Sequence, residues 1–267
     1  MLPEGIKFSF SSLSAYDHCP MSFKLSKIDH LHDDGNFFSQ YGSFGHKLFE
    51  QYEKGEIPLI ALGQEYADRF EAEVTADPPP FPRGLWQKYY DAGQEFFDNF
   101  NGFDEHYEIL EIEQKFEINI GGYPFVGIAD LIVRNTLTGG IEVIDHKSKS
   151  KNSMKKEIDV YRKQLYTYAM YVHEKYGEWP TMLRFNMYKE NYWIDEPFDI
   201  KMVKETEDWV VATIDRIKAD TEWFIHEDEY FCCNICGFFM QCPAHNIIIE
   251  RRHERMLAKE QAQRGDE

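Results

Sequence analysis

The sequence predicts an α/β fold in which a central sheet is flanked by helices. Two patterns carry that expectation. Between residues 107 and 146, YEILEIEQKFEINI alternates apolar and polar residues, and two further apolar-rich runs follow it, separated by turn residues, as in a meander of strands. On both sides of that stretch the apolar residues recur at helical spacing instead. The 267 residues are 43% hydrophobic and 16% aromatic, enough for a sizeable core, so wholesale disorder is excluded.

The elements follow in order. Ser11 or Ser12 can cap a helix through SLSAYDHCPMSFKL, which Pro20 must bend or interrupt. A second helix fits SFGHKLFEQYEKG, with Phe44, Leu48 and Phe49 on one face and Gly55 as its stop. TADPPPFPRG is a proline-rich break, and LWQKYYDAGQEFFDNF resumes a helix. YEILEIEQKFEINI reads as a strand, Gly121-Gly122 as a turn, YPFVGIADLIV as the second strand and IEVIDHK as the third. Residues 147–156, KSKSKNSMKK, hold five lysines and read as a mobile loop or the start of a helix. A long amphipathic helix fits EIDVYRKQLYTYAMYVHEKYG, ending at Gly177. Then come a strand over TMLRFNMYK, a helix from 202 to 226, a cysteine cluster, and a charged helical tail that frays at QAQRGDE. The expected organisation is one domain over 1–245 and a tail over 246–267.

Charge and hydropathy narrow the function. Mean hydropathy is −0.55, and no apolar run approaches the ~20 residues of a membrane helix. MLPEGIKFSFSS has no charged n-region followed by a long apolar stretch, so a cytoplasmic protein is expected. With 29 Lys+Arg against 47 Asp+Glu the net charge is −18, which argues against a module that simply coats duplex DNA. An enzyme with a local basic channel remains compatible with it. Of five cysteines, Cys19 stands alone and four crowd into FCCNICGFFMQC. In a reducing compartment such a cluster points to metal rather than to disulfides.

The strands carry the chemistry. Asp130 lies inside VGIADLIV, where an ionised carboxylate needs a cationic partner. Asp145 ends the apolar run IEVI, and Lys147, two residues on, projects to the same side. Two acids on neighbouring strands with a lysine beside one of them suit a Mg²⁺ or Mn²⁺ site for phosphodiester hydrolysis. Taken alone, Asp145 and Lys147 fit a local ion pair equally well. Gln164 and Tyr168 share a helix face at i and i+4, a spacing that ordinary helix packing also produces.

The order of these elements resembles a known family. His46, then GIAD ending at Asp130, then IDHK, then Gln164-x3-Tyr168 look like the RecB-type branch of the PD-(D/E)XK nucleases. The resemblance implies a mixed sheet of restriction-endonuclease type. By it His46, Asp130, Asp145 and the backbone carbonyl of His146 would hold Mg²⁺ or Mn²⁺, and Lys147 would be the catalytic lysine. Gln164 and Tyr168 would organise the site or the DNA strand. His146 departs from the Tyr or Phe common at that position. Glu113 matches a recurrent strand glutamate without an assignable role. Lys149 and Lys151 read either as contacts to the DNA backbone or as solvated surface.

The cysteines extend the likeness. S-S-L-S-x-Y-x-x-C-P around Cys19, with Cys233-x2-Cys236-x5-Cys242, resembles the iron–sulfur staple of AddB-type nucleases and CRISPR-associated RecB-type exonucleases. Four thiolates suit a [4Fe–4S] cluster, and equally Zn²⁺, for which C-x2-C is the commoner signature. The distant Cys19 and the x5 spacing favour iron–sulfur, with Cys232 as the surplus thiol. The implied function is a metal-dependent DNA exonuclease on single-stranded or frayed ends, in prokaryotic or phage DNA processing. There is no G-x4-G-K-[ST] motif, so any motor would come from a helicase or recombination partner. The rivals are a CRISPR spacer-processing nuclease and a catalytically silent DNA-end-binding protein.

Overall fold

The three runs over 107–146 do form strands. In the computed structural model, which describes residues 2, 5–33 and 35–265, five strands form one mixed sheet. They are β1 (Tyr107–Ile120), β2 (Tyr123–Asn135), β3 (Ile141–His146), β4 (Met182–Met187) and β5 (Tyr192–Pro197), adjacent in chain order. All neighbours are antiparallel except β3 and β4, which are parallel. Gly121 and Gly122 both take positive φ, 59° and 89°, as a two-residue hairpin loop requires. The parallel β3–β4 pair needs a crossover, and helix α6 (Lys151–Tyr176) supplies it. The Ser150 side chain caps α6 by accepting from the Ser153 N–H, so the lysine-rich stretch is half linker and half first turns of a helix.

Several boundaries differ from the expectation. Of the two outcomes expected at Pro20, a bend or an interruption, the structure shows the interruption: Pro20 starts a second helix. Helix α1 (Phe10–His18) is capped by Ser9 in a reciprocal box with Ser12, rather than by Ser11 or Ser12. Cys19 then turns extended, with φ −150° and ψ 97°, and Pro20 opens α2 (Pro20–Lys27), where its missing N–H costs nothing. Helix α3 (Phe37–Glu53) begins six residues before the expected segment because Asn36 and Ser39 form another capping box. Helix α4 (Leu62–Glu73) and strand β5 were not anticipated, and α5 (Leu85–Asn99) was. Helix α7 (Ile200–Ala219) stops seven residues short of 226. The short α8 (Glu229–Asn234) and the tail helix α9 (His245–Gly265) complete the chain. The tail is helical through Gly265, and the last two residues of the segment expected to fray lie outside the described residues.

Two cores hold these layers together. On the sheet, Phe116, Phe125, Val143 and Phe185 pack against Leu13 of α1, Leu165 and Val172 of α6, and Val210 and Ile214 of α7. Beside it, Phe44, Leu48 and Phe49 of α3 meet Tyr66, Phe70, Phe96 and Phe97 of α4 and α5. Each fully buried side chain of this kind contributes about 1.5–3 kcal/mol relative to exposure. Gly45 lets α3 approach the end of β4, because a Cβ there would sit 2.3 Å from the Tyr188 hydroxyl. That approach brings the next residue, His46, over the sheet. No described helix is long and apolar enough to cross a membrane.

Candidate active site

Three donors converge where α3 crosses the β1–β2 hairpin. Glu113 lies opposite Asp130, between the paired residues Ile112–Leu131 and Gln114–Ala129. Its φ is 46°, a left-handed conformation that a residue with a side chain rarely adopts inside a strand. Such strain persists where surrounding structure imposes it, and functional sites are the usual place. His46 Nδ1 stands 3.4 Å from Asp130 Oδ2 and 3.5 Å from Glu113 Oε1. One ligand atom from each of His46, Glu113 and Asp130 falls within 4.8 Å of the others. Burial disfavours the charged imidazole, but Asp130 and Glu113 outweigh it and push His46 up to about 9.

Strand β3 adds the acid and the lysine. Asp145 is fully buried, and the Lys147 ammonium sits 2.6 Å from its Oδ2. Asp145 Oδ1, equally buried, has no hydrogen-bond partner. Burial raises this carboxyl above its ordinary range while Lys147 opposes the rise. Burial also works against the Lys147 charge, yet Asp145 and Asp130 keep its pKa above the ordinary value. The ammonium donates to Gln164 Oε1 at 3.0 Å, and Gln164 Nε2 donates to the Tyr168 hydroxyl at 2.6 Å. Thus the i, i+4 pair on α6 is tied to the lysine rather than merely packed.

His146 bridges the two groups. Its backbone N–H donates to Asp130 Oδ2 at 2.7 Å. Its ring turns away, stacking on Phe49 at 4.1 Å and meeting Glu53 Oε1 at 3.0 Å through Nε2. Burial lowers His146 to about 4, and burial, reinforced by Glu113, raises Glu53 to about 9. Sequence reasoning missed Glu53. The available signal was its position seven residues after His46, two turns on along one helix face.

These residues fit a hard divalent cation. Carboxylate oxygens and an imidazole nitrogen converge, and the buried Oδ1 of Asp145 is left without a partner. A cavity of about 760 Å³ opens on Glu113 and Asp130. Ser9, Ser11, Lys115, Glu117, Gln164 and Thr167 belong to its polar lining, and Phe10 and Ile128 to its apolar lining. Lys149 is engaged by Glu157, and the Lys151 ammonium lies 3.7 Å from the Tyr192 ring centre.

Cys19 and Cys232 meet at the loop after α7. Cys19 Sγ accepts the His226 N–H at 3.4 Å, while Cys232 donates its thiol to the His226 carbonyl at 3.0 Å. Burial, with the neighbouring sulfurs, raises Cys232 to about 12 and Cys236 to about 11. Cys233, Cys236 and Cys242 are partly buried. No three of Cys19, Cys233, Cys236 and Cys242 bring their sulfurs within 4.8 Å of one another, as the donors of the other site do.

The family model of the PD-(D/E)XK nuclease superfamily matches residues 7–243. No curated protein matches. Among solved structures, the protein SSO0001 matches at 20% identity and a TM-score of 0.37, over 92% of this chain and 89% of its own. A protein of Eubacterium rectale described as a "Putative exonuclease" matches at 13% identity and a TM-score of 0.45, over 83% and 85%.

Proposed function

The chain belongs to the PD-(D/E)XK nuclease superfamily, and on that premise we propose that it is a Mg²⁺- or Mn²⁺-dependent deoxyribonuclease acting exonucleolytically on single-stranded or frayed ends. The observation that carries the reading is the convergence of His46, Glu113 and Asp130 beside the Asp145–Lys147 pair. Those donors, with Asp145 and the His146 carbonyl, would hold the cation. When bound, it supplies a lowered water pKa and neutralises charge on the phosphate. The remaining work falls to side chains. Lys147, kept protonated between Asp145 and Gln164, is placed to orient the attacking water or stabilise charge developing on the phosphate. Gln164 and Tyr168 hold that ammonium in one position. The adjoining cavity offers apolar walls to a base and sugar, and Ser9, Ser11 and Lys115 to the backbone.

The second metal centre in this reading is a [4Fe–4S] cluster on Cys19, Cys233, Cys236 and Cys242. Zinc on the same four thiolates is the alternative, for which C-x2-C is the commoner signature. Cys232 donates its thiol to the His226 carbonyl, and Cys19 both accepts the His226 N–H and lies 4.0 Å from the Phe224 carbonyl as a donor. The partners are DNA and, for duplex substrates, a helicase or recombination protein. The test is hydrolysis of end-labelled linear single-stranded, linear duplex and circular DNA with Mn²⁺ or Mg²⁺. Loss of the linear single strand with the circle spared supports the reading. Intact DNA in every reaction overturns it.

A further inference from the structure

We propose that Glu53 is a positioning residue of the metal site, clamping the His146 ring so that the backbone of His146 keeps Asp130 in place. The inference rests on the metal-dependent reading above. Both side chains are only 1% exposed, and Glu53 Oε1 lies 3.0 Å from His146 Nε2. Phe49 stacks on the ring at 4.1 Å and 11°, and Phe103 lies nearly parallel to it at 5.9 Å and 25°. At the other ring nitrogen, Asn186 Nδ2 is 3.1 Å from Nδ1. The ring is therefore fixed in its plane by two aromatics and within that plane by two polar partners.

That fixation reaches the site through one residue. His146 is the last residue of β3, and its N–H holds the carboxylate oxygen of Asp130 that also faces His46. The chain leaves the sheet at Lys147, whose N–H donates to the Asn186 carbonyl at 2.8 Å. A shift of the ring would move the donor to Asp130 on one side and the lysine on the other. Glu53 also shares a helix face with His46, so α3 both supplies a metal donor and sets the β3 end that the donor faces. Partners of this kind, one bond removed from the ligands, typically affect metal affinity 10–100-fold when removed.

The test is Mn²⁺ binding to the folded full-length protein without DNA, followed by electron paramagnetic resonance. Glu53→Leu is expected to weaken binding about 10-fold or more, and Glu53→Gln, which keeps a polar contact to Nε2, to stay within about threefold of wild type. On a His146→Phe background, where the clamp has nothing to hold, Glu53→Leu should change affinity less than about twofold. If Glu53→Leu does not fold, Glu53→Asp takes its place, with an expected loss of about threefold or more because its carboxylate falls short of the ring. A folded Glu53→Leu or Glu53→Asp that binds Mn²⁺ like wild type overturns the clamp alone. The same loss persisting on His146→Phe overturns it as well. Wild-type protein that binds no Mn²⁺ overturns the metal reading and the clamp together.

Discussion

Replacing Glu53 by Gln should make the protein less sensitive to alkaline pH. Buried against the neutral His146 ring and near Glu113, the Glu53 carboxyl is raised from 4.5 to about 9. Asn186 supports a protonated Glu53. As placed, its Nδ2 points at His146 Nδ1 and leaves its own buried Oδ1 without a partner. Exchanging amide oxygen and nitrogen lets Nδ1–H donate to Oδ1, after which Nε2 must accept, and the Glu53 hydroxyl is the donor in reach. The sign follows from proton counts. Below pH 4.5 both folded and unfolded chains hold the proton; above it only the folded chain does, so stability falls until pH reaches about 9. At ~1.36 kcal/mol per pH unit, the interval from about pH 5.5 to about pH 8.5 costs the wild type about 4 kcal/mol that the Gln variant does not lose. For 267 residues at ~2.1 cal/mol/K each, that is a relative Tm gain of about 7 °C. Thermal unfolding of both proteins at the two pH values, without divalent cation, measures it. Parallel pH dependences within about 1 °C would show that Glu53 is ionised in the fold and refute the argument.

Asp130→Ala and Asp145→Ala should each abolish cleavage while circular dichroism stays native, since each removes a donor rather than core packing. Lys147→Ala should still bind Mn²⁺ but hydrolyse DNA about 10²–10³-fold more slowly in single-turnover assays. It should also lose about 3–5 kcal/mol of stability to chemical denaturation, because a buried Asp145 is left unpaired. Anaerobically purified protein should be brown with about four irons per chain; one stoichiometric zinc in a colourless sample would replace the cluster reading. Cys19→Ala should lower Tm and iron content far more than Cys232→Ala. Cys19 and Cys233 are 233 − 19 = 214 positions apart, a closure worth roughly 5 kcal/mol if a metal crosslink acts as a disulfide does.

The three-stranded meander is legible because β1 alternates, β2 and β3 are apolar-rich runs, and glycine-containing turns separate them. What escaped is instructive. In α4, Leu62, Tyr66 and Phe70 recur every four residues, but Ala61 offers no side-chain cap to mark where the helix starts. In β5 the sequence YWIDEP forms a half-exposed edge strand, whose weak alternation cannot be told from a loop without its partner β4. At Cys19-Pro20 proline chemistry was read correctly, yet a kink and a fresh helix start have the same local signature.

The candidate site divides along the same line. Asp130, Asp145 and Lys147 betray themselves as charges inside apolar strands, and the pattern period alone puts the last two on one side. Glu113 does not, because its direction depends on a left-handed backbone angle that no periodicity reports. Glu53 is hidden differently: its partner lies 93 residues away, and one more acid on a helix in a chain of net charge −18 attracts no notice. That same acidity argues only against a module that coats duplex DNA. The structure gathers Glu113 and Asp130 on His46, and beside them pairs the buried Asp145 with Lys147. In the proposed reading, negative charge concentrated in this way would recruit a divalent cation, and the cation with Lys147 would then face a phosphate that the bare chain would repel. Net charge therefore measures the surface a DNA strand meets on approach, and says little about the few ångströms where its backbone would be cut.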